Sequence, residues 1–266
     1  KSKQNANIMD LNTIYNENCL DTMKRMPDNF LDLTVTSPPY DNLRTYKGFV
    51  FPFEEIAKEL YRVTKIGGVV VWVVGDATIK GSETGTSFKQ ALFFMECGFR
   101  LHDTMIYHKS TPPLTHNRYE QHFEYMFVFS KGKPKSFNAI FIDKIDKTYK
   151  DNRVNKSYRR EKNGNIDTGF VADSKNKIKG NVWKVFAGGG ANDKIASQHP
   201  AVFPEQLAND HIISWSNEGN LVYDPFMGSG TTAKMAILNK RNYIGSEISA
   251  EYCEIIQKRL SKIPIM

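Results

Sequence analysis

Two short stretches hold residues whose types and spacing could do chemistry together. The first is Thr36-Ser37-Pro38-Pro39-Tyr40. Its two prolines fix the backbone and remove two N–H donors, leaving carbonyl oxygens free to accept. Ser37 adds a hydroxyl that accepts or donates, and Tyr40 offers a flat face on which a base can stack. A rigid acceptor site beside an aromatic platform suits an exocyclic amine, whose lone pair is delocalised into its ring. Hydrogen bonds from its N–H groups to Ser37 and to the Pro38 carbonyl would favour a tetrahedral nitrogen with a usable lone pair. The plainer alternative is a proline turn with no chemistry. The second stretch is Asp224-Pro225-Phe226-Met227-Gly228-Ser229-Gly230-Thr231-Thr232. Its glycines let the backbone approach a ligand, and the helix that follows offers unpaired N–H groups at its start. Glu247 stands 19 residues beyond Gly228, where a carboxylate can accept hydrogen bonds from two ribose hydroxyls. The plainer alternative here is a strand-to-helix turn whose glycines only relieve crowding. The turn lacks a third glycine, since Ala233 stands three after Gly230, and it has no Gly-Lys-Ser/Thr to cradle phosphates. Asp224 at the strand tip disfavours a pyrophosphate and could neutralise a cationic ligand or an amino group.

Both stretches need strands to present them. Residues 31–36 alternate into an apolar run that ends at the prolines, and residues 221–223 form a short apolar run before Asp224. Strands are also expected at 12–15, 69–74, 99–108, 122–129 and 243–247, with 69–74 a β-branched run fit for burial on both faces. Apolar spacing predicts helices over 20–26, 53–64, 87–97, 203–216, 231–239 and 251–260, with Gly67-Gly68 ending the second. Strands and helices alternate on both sides of residues 143–180, which are rich in Lys, Asn, Asp, Arg and Ser and read as a loop-rich insertion. The alternation predicts an α/β fold with a mostly parallel sheet.

The two motifs together resemble the bacterial amino-methyltransferases of restriction–modification systems. Their order, catalytic motif first and cofactor motif last, is similar to the circularly permuted beta class. Lys65-Ile66-Gly67-Gly68 resembles the family's Lys-Pro-Gly-Gly, with Ile66 in place of proline. The stretches His199-Pro200-Ala201-Val202-Phe203-Pro204-Glu205 and Asn239-Lys240-Arg241-Asn242-Tyr243-Ile244-Gly245-Ser246-Glu247 resemble segments flanking the cofactor strand. Glu17-Asn18-Cys19-Leu20-Asp21 resembles a Gly-Asp-Cys segment beside the cofactor's adenine, with Glu-Asn replacing Gly-Asp. The resemblance implies a Rossmann-like methyltransferase sheet flanked by helices, with S-adenosylmethionine as cofactor. Asp224, Pro225, Phe226, Gly228, Ser229, Gly230, Thr231, Glu247 and Asn18 would hold that cofactor. Ser37, Pro38, Pro39 and Tyr40 would be the catalytic loop. Only 19 residues follow Glu247, too few to complete such a sheet, so its remaining strands come from the N-terminal half. The implied reaction is direct attack by a flipped-out base's amino group in duplex DNA. Ser at the first motif position points to cytosine N4, with adenine N6 the alternative. Methylation at a base carbon is disfavoured, because Cys19, Cys97 and Cys253 do not follow a proline.

Bulk properties agree. Hydrophobic residues make up 40% and charged residues 24% of the 266, as in a soluble globular chain. No apolar run approaches the roughly 20 residues that span a bilayer, and no signal peptide is visible. Three scattered cysteines favour neither a disulfide framework nor a zinc site and suit a reducing cytosol, so a cytoplasmic, nucleoid-associated bacterial protein without a metal is expected. The net charge of +7 is concentrated: residues 131–184 hold 15 Lys and Arg against 6 Asp and Glu. That segment is expected to be the target-recognition region, between catalytic residues 1–130 and cofactor-binding residues 185–266. Within it Arg153, Arg159 and Arg160, with Tyr149, Tyr158 and Trp183, mix charge with flat faces for DNA contact. The plainer reading is a solvated charge run. Lys109 and Arg118 are further DNA contacts implied by the resemblance. His108, His116 and His199 read as structural. Expected partners are double-stranded DNA, a second copy in a homodimer and a cognate restriction endonuclease. Competing functions are a protein-amide methyltransferase, weighed against by Ser37 and the basic insertion, and a non-catalytic DNA-binding subunit, weighed against by the intact motifs.

Overall fold

The computed structural model describes residues 9–39, 51–109, 118–143, 157–160, 166–170, 176–185 and 202–263. Along the chain the elements are β1 (Thr13–Tyr15), α1 (Cys19–Arg25), β2 (Leu31–Thr36), α2 (Phe53–Val63), β3 (Thr64–Val74), β4 (Thr78–Ile79), β5 (Ser82–Glu83), α3 (Thr86–Glu96), β6 (Arg100–Lys109) and β7 (Phe123–Ser130). They continue with β8 (Phe141–Asp143), β9 (Ser157–Arg160), β10 (Ile166–Phe170), β11 (Asn176–Ile178), β12 (Val182–Val185), α4 (Glu205–Trp215), β13 (Leu221–Asp224), α5 (Thr231–Leu238), β14 (Asn242–Ser246) and α6 (Ala250–Leu260).

The central sheet has eight strands in the order β1-β14-β13-β2-β3-β7-β6-β12. Its pairs are parallel except those of β7, which runs against both β3 and β6. The expected mostly parallel sheet is present. Valines 69, 70, 71, 73 and 74 with Trp72 are buried on both faces of β3, as a central parallel strand requires. Successive residues of a strand point to opposite faces. Val70, Trp72 and Val74 therefore meet Met23 of α1 and Met26 just beyond it, Ile56, Leu60 and Val63 of α2, and Phe94 of α3. The other face is covered by α4 and α5, with Leu207, Ile212, Ala233 and Ala236 buried.

The order of strands creates the functional geometry. The late strands β13 and β14 lie between the early strands β1 and β2. From β13 the chain crosses through α5 to β14 on one side, and from β2 it crosses through α2 to β3 on the other. The boundary between β13 and β2 is thus a topological switch point, where a crevice opens at the carboxyl ends of the strands.

Two expectations need correction. Gly67-Gly68 does not end α2, which closes at Val63; both glycines lie inside β3. Leu31 pairs with Thr64 and Leu33 with Val69, so β3 bulges around them. Gly67 takes φ +86° and donates its N–H to the Lys131 carbonyl at 2.6 Å, which makes it a bulge glycine rather than a helix stop. Trp183, expected to contact DNA, is 4% exposed in β12 and stacks on His211 with ring centroids 4.6 Å apart.

The chain divides into two compact units, residues 1–138 with 181–266, and residues 139–180. The smaller unit lies inside the basic segment 131–184 and is narrower than it. Residues 131–138 serve the main sheet: the Lys135 N–H donates to the Gly67 carbonyl at 2.9 Å, and the Asn138 amide donates to the Ser216 carbonyl at 2.9 Å. Within the smaller unit the chain is not merely loop: β8 pairs with β11 and β9 with β10, each an antiparallel ribbon.

Candidate active site

The glycine-rich turn begins where β13 ends. Gly228 (φ +54°) and Gly230 (φ +82°) occupy the left-handed region, and Gly230 starts α5. A Cβ on Gly230 would stand 2.9 Å from Ile256 Cγ2 of α6, so glycine is required there twice over. Glu247 lies just past β14 and is 7% exposed. Its Oε2 accepts the Gly228 N–H and its Oε1 the Ser249 N–H, both at 2.8 Å. Burial raises its carboxyl above the usual range, opposed by the amides of Ser249 and Gly228. Each oxygen has a second lone pair with which to accept a further donor.

Asp224 is buried at 4% exposure. Its Oδ1 accepts the Thr36 hydroxyl at 2.6 Å and the Phe226 N–H at 3.0 Å, and its Oδ2 accepts the Thr232 hydroxyl at 2.7 Å. Burial pushes its carboxyl up to about 6, against the pull of these donors. Three of its acceptor positions are thus used by the protein itself. Phe226 lies half-buried at the rim, edge-on to Phe51 at 5.6 Å and Trp72 at 6.2 Å. Pro225, Ser229 and Thr231 are buried within the turn.

Across the switch point, β2 delivers Ser37 half-buried and Pro38 buried, with Pro39 half-buried. Tyr40 lies outside the described residues. Asn18 caps α1, its side chain accepting the Leu20 N–H at 2.9 Å. Its neighbour Asn16 donates to the Glu247 carbonyl at 2.8 Å, so the β1–α1 turn does border the end of β14. Lys109, at the carboxyl end of β6, forms a largely buried ion pair with Glu124 at 3.1 Å. Arg118 braces the β4–β5 hairpin, donating to the Gly81 carbonyl at 2.7 Å and to Thr78 Oγ1 at 3.1 Å. Arg159 and Arg160 sit in β9, paired with Asp167 and Ile166 of β10. Arg153, Tyr149, His116 and His199 lie outside the described residues. The described part of the chain holds no group of three His, Cys, Asp or Glu placed to bind a metal.

Arg259 escapes any reading of the sequence. It stands in the last turn of α6, where basic residues are ordinary, yet it is 3% exposed. Its guanidinium donates to the Ser229 carbonyl at 2.8 Å, to Thr231 Oγ1 at 2.9 Å and to Glu205 Oε1 at 2.6 Å. Glu205 also accepts from Lys234 at 2.6 Å. This buried cluster fastens the glycine-rich turn to α4 and α6. Only burial distinguishes it from a surface helix end.

A ligand-holding turn and a rigid acceptor loop, set side by side at a switch point, define an enzyme that brings a nucleotide-like cofactor to a second substrate. The DNA methylase model N6_N4_Mtase matches residues 31–258, and the chain belongs to that family. It is 57% identical over 244 residues to the orphan methyltransferase M.BamHII of Bacillus amyloliquefaciens, covering 90% of this chain and 92% of that one. It is 29% identical over 262 residues to the type II methyltransferase M.BglII of Bacillus subtilis, covering 96% and 70%. Among solved structures, the cytosine-N4-specific PvuII DNA methyltransferase superposes with a TM-score of 0.73 at 21% identity, covering 96% of this chain and 88% of that one. The M1.HpyAVI–SAM complex gives 0.59 at 22% identity, covering 93% and 98%. The chain is therefore a DNA amino-methyltransferase of the N4-cytosine or N6-adenine class, with S-adenosylmethionine as cofactor. The residues fit that cofactor: two left-handed glycines open the turn, and the Glu247 oxygens keep acceptor positions for hydroxyl donors.

Proposed function

We propose that the chain methylates the N4 amino group of cytosine within a specific sequence of duplex DNA. The observation that carries this reading is the placement of Ser37 and Pro38 at the end of β2, directly beside the cofactor turn at the end of β13. S-adenosylmethionine, when bound, supplies an electrophilic methyl group. Asp224, Pro225, Phe226, Gly228, Ser229, Gly230, Thr231 and Glu247 form its cradle, with Asn18 at its border. The target base leaves the duplex, because its amino group is otherwise engaged in pairing. Tyr40 stacks on it. The Ser37 hydroxyl and the Pro38 carbonyl accept hydrogen bonds from the two amino N–H groups and turn the lone pair toward the methyl group. The amine would attack directly: the new N–C bond would form as the methyl group's bond to sulfur breaks, the leaving group would be a neutral thioether, and the methylated nitrogen would release one proton to solvent, so that catalysis rests on positioning and electrostatics. Ser37 favours cytosine over adenine, and the cytosine-N4-specific PvuII enzyme has the same fold; adenine N6 is the second reading.

The basic segment around the smaller unit, including Arg153, Arg159 and Arg160, serves target recognition, and Lys109 and Arg118 border the DNA on the catalytic side. The reading extends to a cytoplasmic, nucleoid-associated protein, a homodimer and a cognate restriction endonuclease; a chain without such an endonuclease is the second reading, favoured by the relative named as the orphan methyltransferase M.BamHII. Mass spectrometry of nucleosides from treated DNA tests the base assignment. N4-methylcytosine is expected, and N6-methyladenine would overturn it. Ser37→Ala is expected to abolish transfer while leaving cofactor affinity unchanged; full activity would remove Ser37 from the mechanism.

A further inference from the structure

A buried carboxylate, Asp224, links the strand that carries Ser37 to the turn that would hold the cofactor. The β13–β2 ladder stops at Val222↔Leu33 and Tyr223↔Thr34, below the crevice floor. Beyond it side chains take over. Thr36, wholly buried and next to Ser37, donates to the same Asp224 oxygen that accepts the Phe226 N–H of the cofactor turn. The other Asp224 oxygen accepts from Thr232, 1% exposed in the first turn of α5. The Thr232 hydroxyl also lies 3.2 Å from the Val35 carbonyl of β2, so α5 reaches the catalytic strand directly as well.

We propose that Thr36 and Thr232 are positioning residues for methyl transfer, which use Asp224 as a common anchor to fix the catalytic loop against the cofactor turn. Asp224 then acts mainly inside the protein rather than as a partner of the cofactor's charge. The inference rests on the crevice being the methyl-transfer site. Neither threonine need touch either substrate. Reacting atoms must be held within a fraction of an ångström, and a misplacement of about 1 Å costs on the order of 100-fold in rate. The loss is therefore expected in the transfer step and not in the affinity for either substrate.

The test compares Thr36→Val, Thr36→Ser and Thr232→Val with the wild-type chain. Valine keeps the shape and removes the hydroxyl; serine keeps the hydroxyl. Single-turnover transfer of a labelled methyl group to unmethylated DNA of complex sequence is expected to slow by about 10- to 100-fold in both valine variants. Cofactor affinity by calorimetry should stay within about threefold, and Thr36→Ser should restore the rate. A valine variant that transfers at the wild-type rate overturns the proposal, as does a serine variant as slow as valine, or a loss matched by lost cofactor affinity. A second readout needs no DNA. Cofactor binding should slow hydrogen exchange at the amides of residues 226–232 in every variant, but at residues 35–37 only where residue 36 keeps its hydroxyl. Equal protection of 35–37 in Thr36→Val also overturns the proposal. A wild-type chain that binds cofactor but methylates no DNA instead overturns the functional reading, and the exchange experiment still judges the anchor by itself.

Discussion

Asp224→Asn should change how stability depends on pH, in a direction the structure fixes. Burial raises the Asp224 carboxyl from its ordinary 3.8 to about 6 in the folded chain. A carboxyl with a raised folded-state pKa binds its proton more tightly when folded. Its contribution to stability is therefore fully present below the unfolded value of 3.8, and it is lost as pH rises through about 6. One pKa unit corresponds to about 1.4 kcal/mol, so the whole contribution is about 3 kcal/mol. Asparagine has nearly the same shape and cannot titrate. Its oxygen can accept from Thr36 and the Phe226 N–H, and its amide can donate to Thr232, whose own proton then has the Val35 carbonyl 3.2 Å away. One amide N–H is left without a partner, a cost that is the same at every pH and so drops out of the pH dependence. Glu247 is also raised by burial and, to a smaller extent, by the Asp224 charge; the variant lacks that charge, so Glu247 is raised less there and adds to the difference with the same sign. Urea unfolding of both proteins from pH 4 to pH 8 gives the difference directly. Relative to the wild type, Asp224→Asn should gain about 2.5 kcal/mol on going from pH 4 to pH 8, since at pH 4 part of the whole contribution is already lost. Parallel stability curves, differing by less than about 1 kcal/mol across that range, would refute the assignment of a buried, raised carboxyl.

Further perturbations reach the cofactor turn from other sides. Arg259→Leu removes four hydrogen bonds from a buried guanidinium and leaves Glu205 half-served; a loss of about 3 kcal/mol or more in unfolding and weaker cofactor binding by calorimetry are expected. Gly230→Ala must accept φ +82° and a Cβ at 2.9 Å from Ile256, and should lose at least about 1–2 kcal/mol by thermal unfolding. Glu247→Gln turns one of two accepting oxygens into a donor that faces the Gly228 or Ser249 N–H, so cofactor affinity should fall by about tenfold or more and unfolding should show a loss of about 1–3 kcal/mol. Replacing Arg159 and Arg160 with Ala should weaken DNA binding and reduce its salt slope by about 1 for each phosphate no longer neutralised, measured by titration at several salt concentrations.

The chemistry-bearing motifs and most elements were legible because each has a local cause. Residues 31–36 form a strand with the bounds their alternation sets, and Gly228 and Gly230 take the left-handed backbone a tight strand-to-helix turn needs. What could not be read depends on packing between distant segments. Gly67-Gly68 looks like a helix stop in sequence, and only its pairing with residue 131 across the sheet makes it a bulge. Trp183 stands amid lysines, so composition assigns it to a charged surface; the sheet edge at β6 captures it instead, through the parallel pairing Trp183↔Tyr107. The partners of Asp224 were likewise out of reach, because they come from residues 36, 226 and 232, and two of these carry no warning beyond a hydroxyl.

The order of strands also decides which parts of the chain the cofactor turn depends on. Its residues lie late in the sequence, yet the carboxylate that closes it is held by the beginning. The Glu247 N–H donates to the Tyr15 carbonyl at 3.0 Å, and Asn16 donates to the Glu247 carbonyl at 2.8 Å. At the opposite end of the same pair, the Asn12 N–H donates to the Tyr243 carbonyl at 2.7 Å, and the Tyr243 N–H returns to the Asn12 side chain at 3.1 Å. Without β1, strand β14 would be an edge, its backbone donors and acceptors would open to water, and Glu247 would lose the support that aims it at Gly228. The proposed split into a catalytic front half and a cofactor-binding back half therefore does not describe the forces that hold Glu247. The front half supplies Ser37 on one side of the glycine-rich turn and, through residues 12–16, the brace for Glu247 on the other.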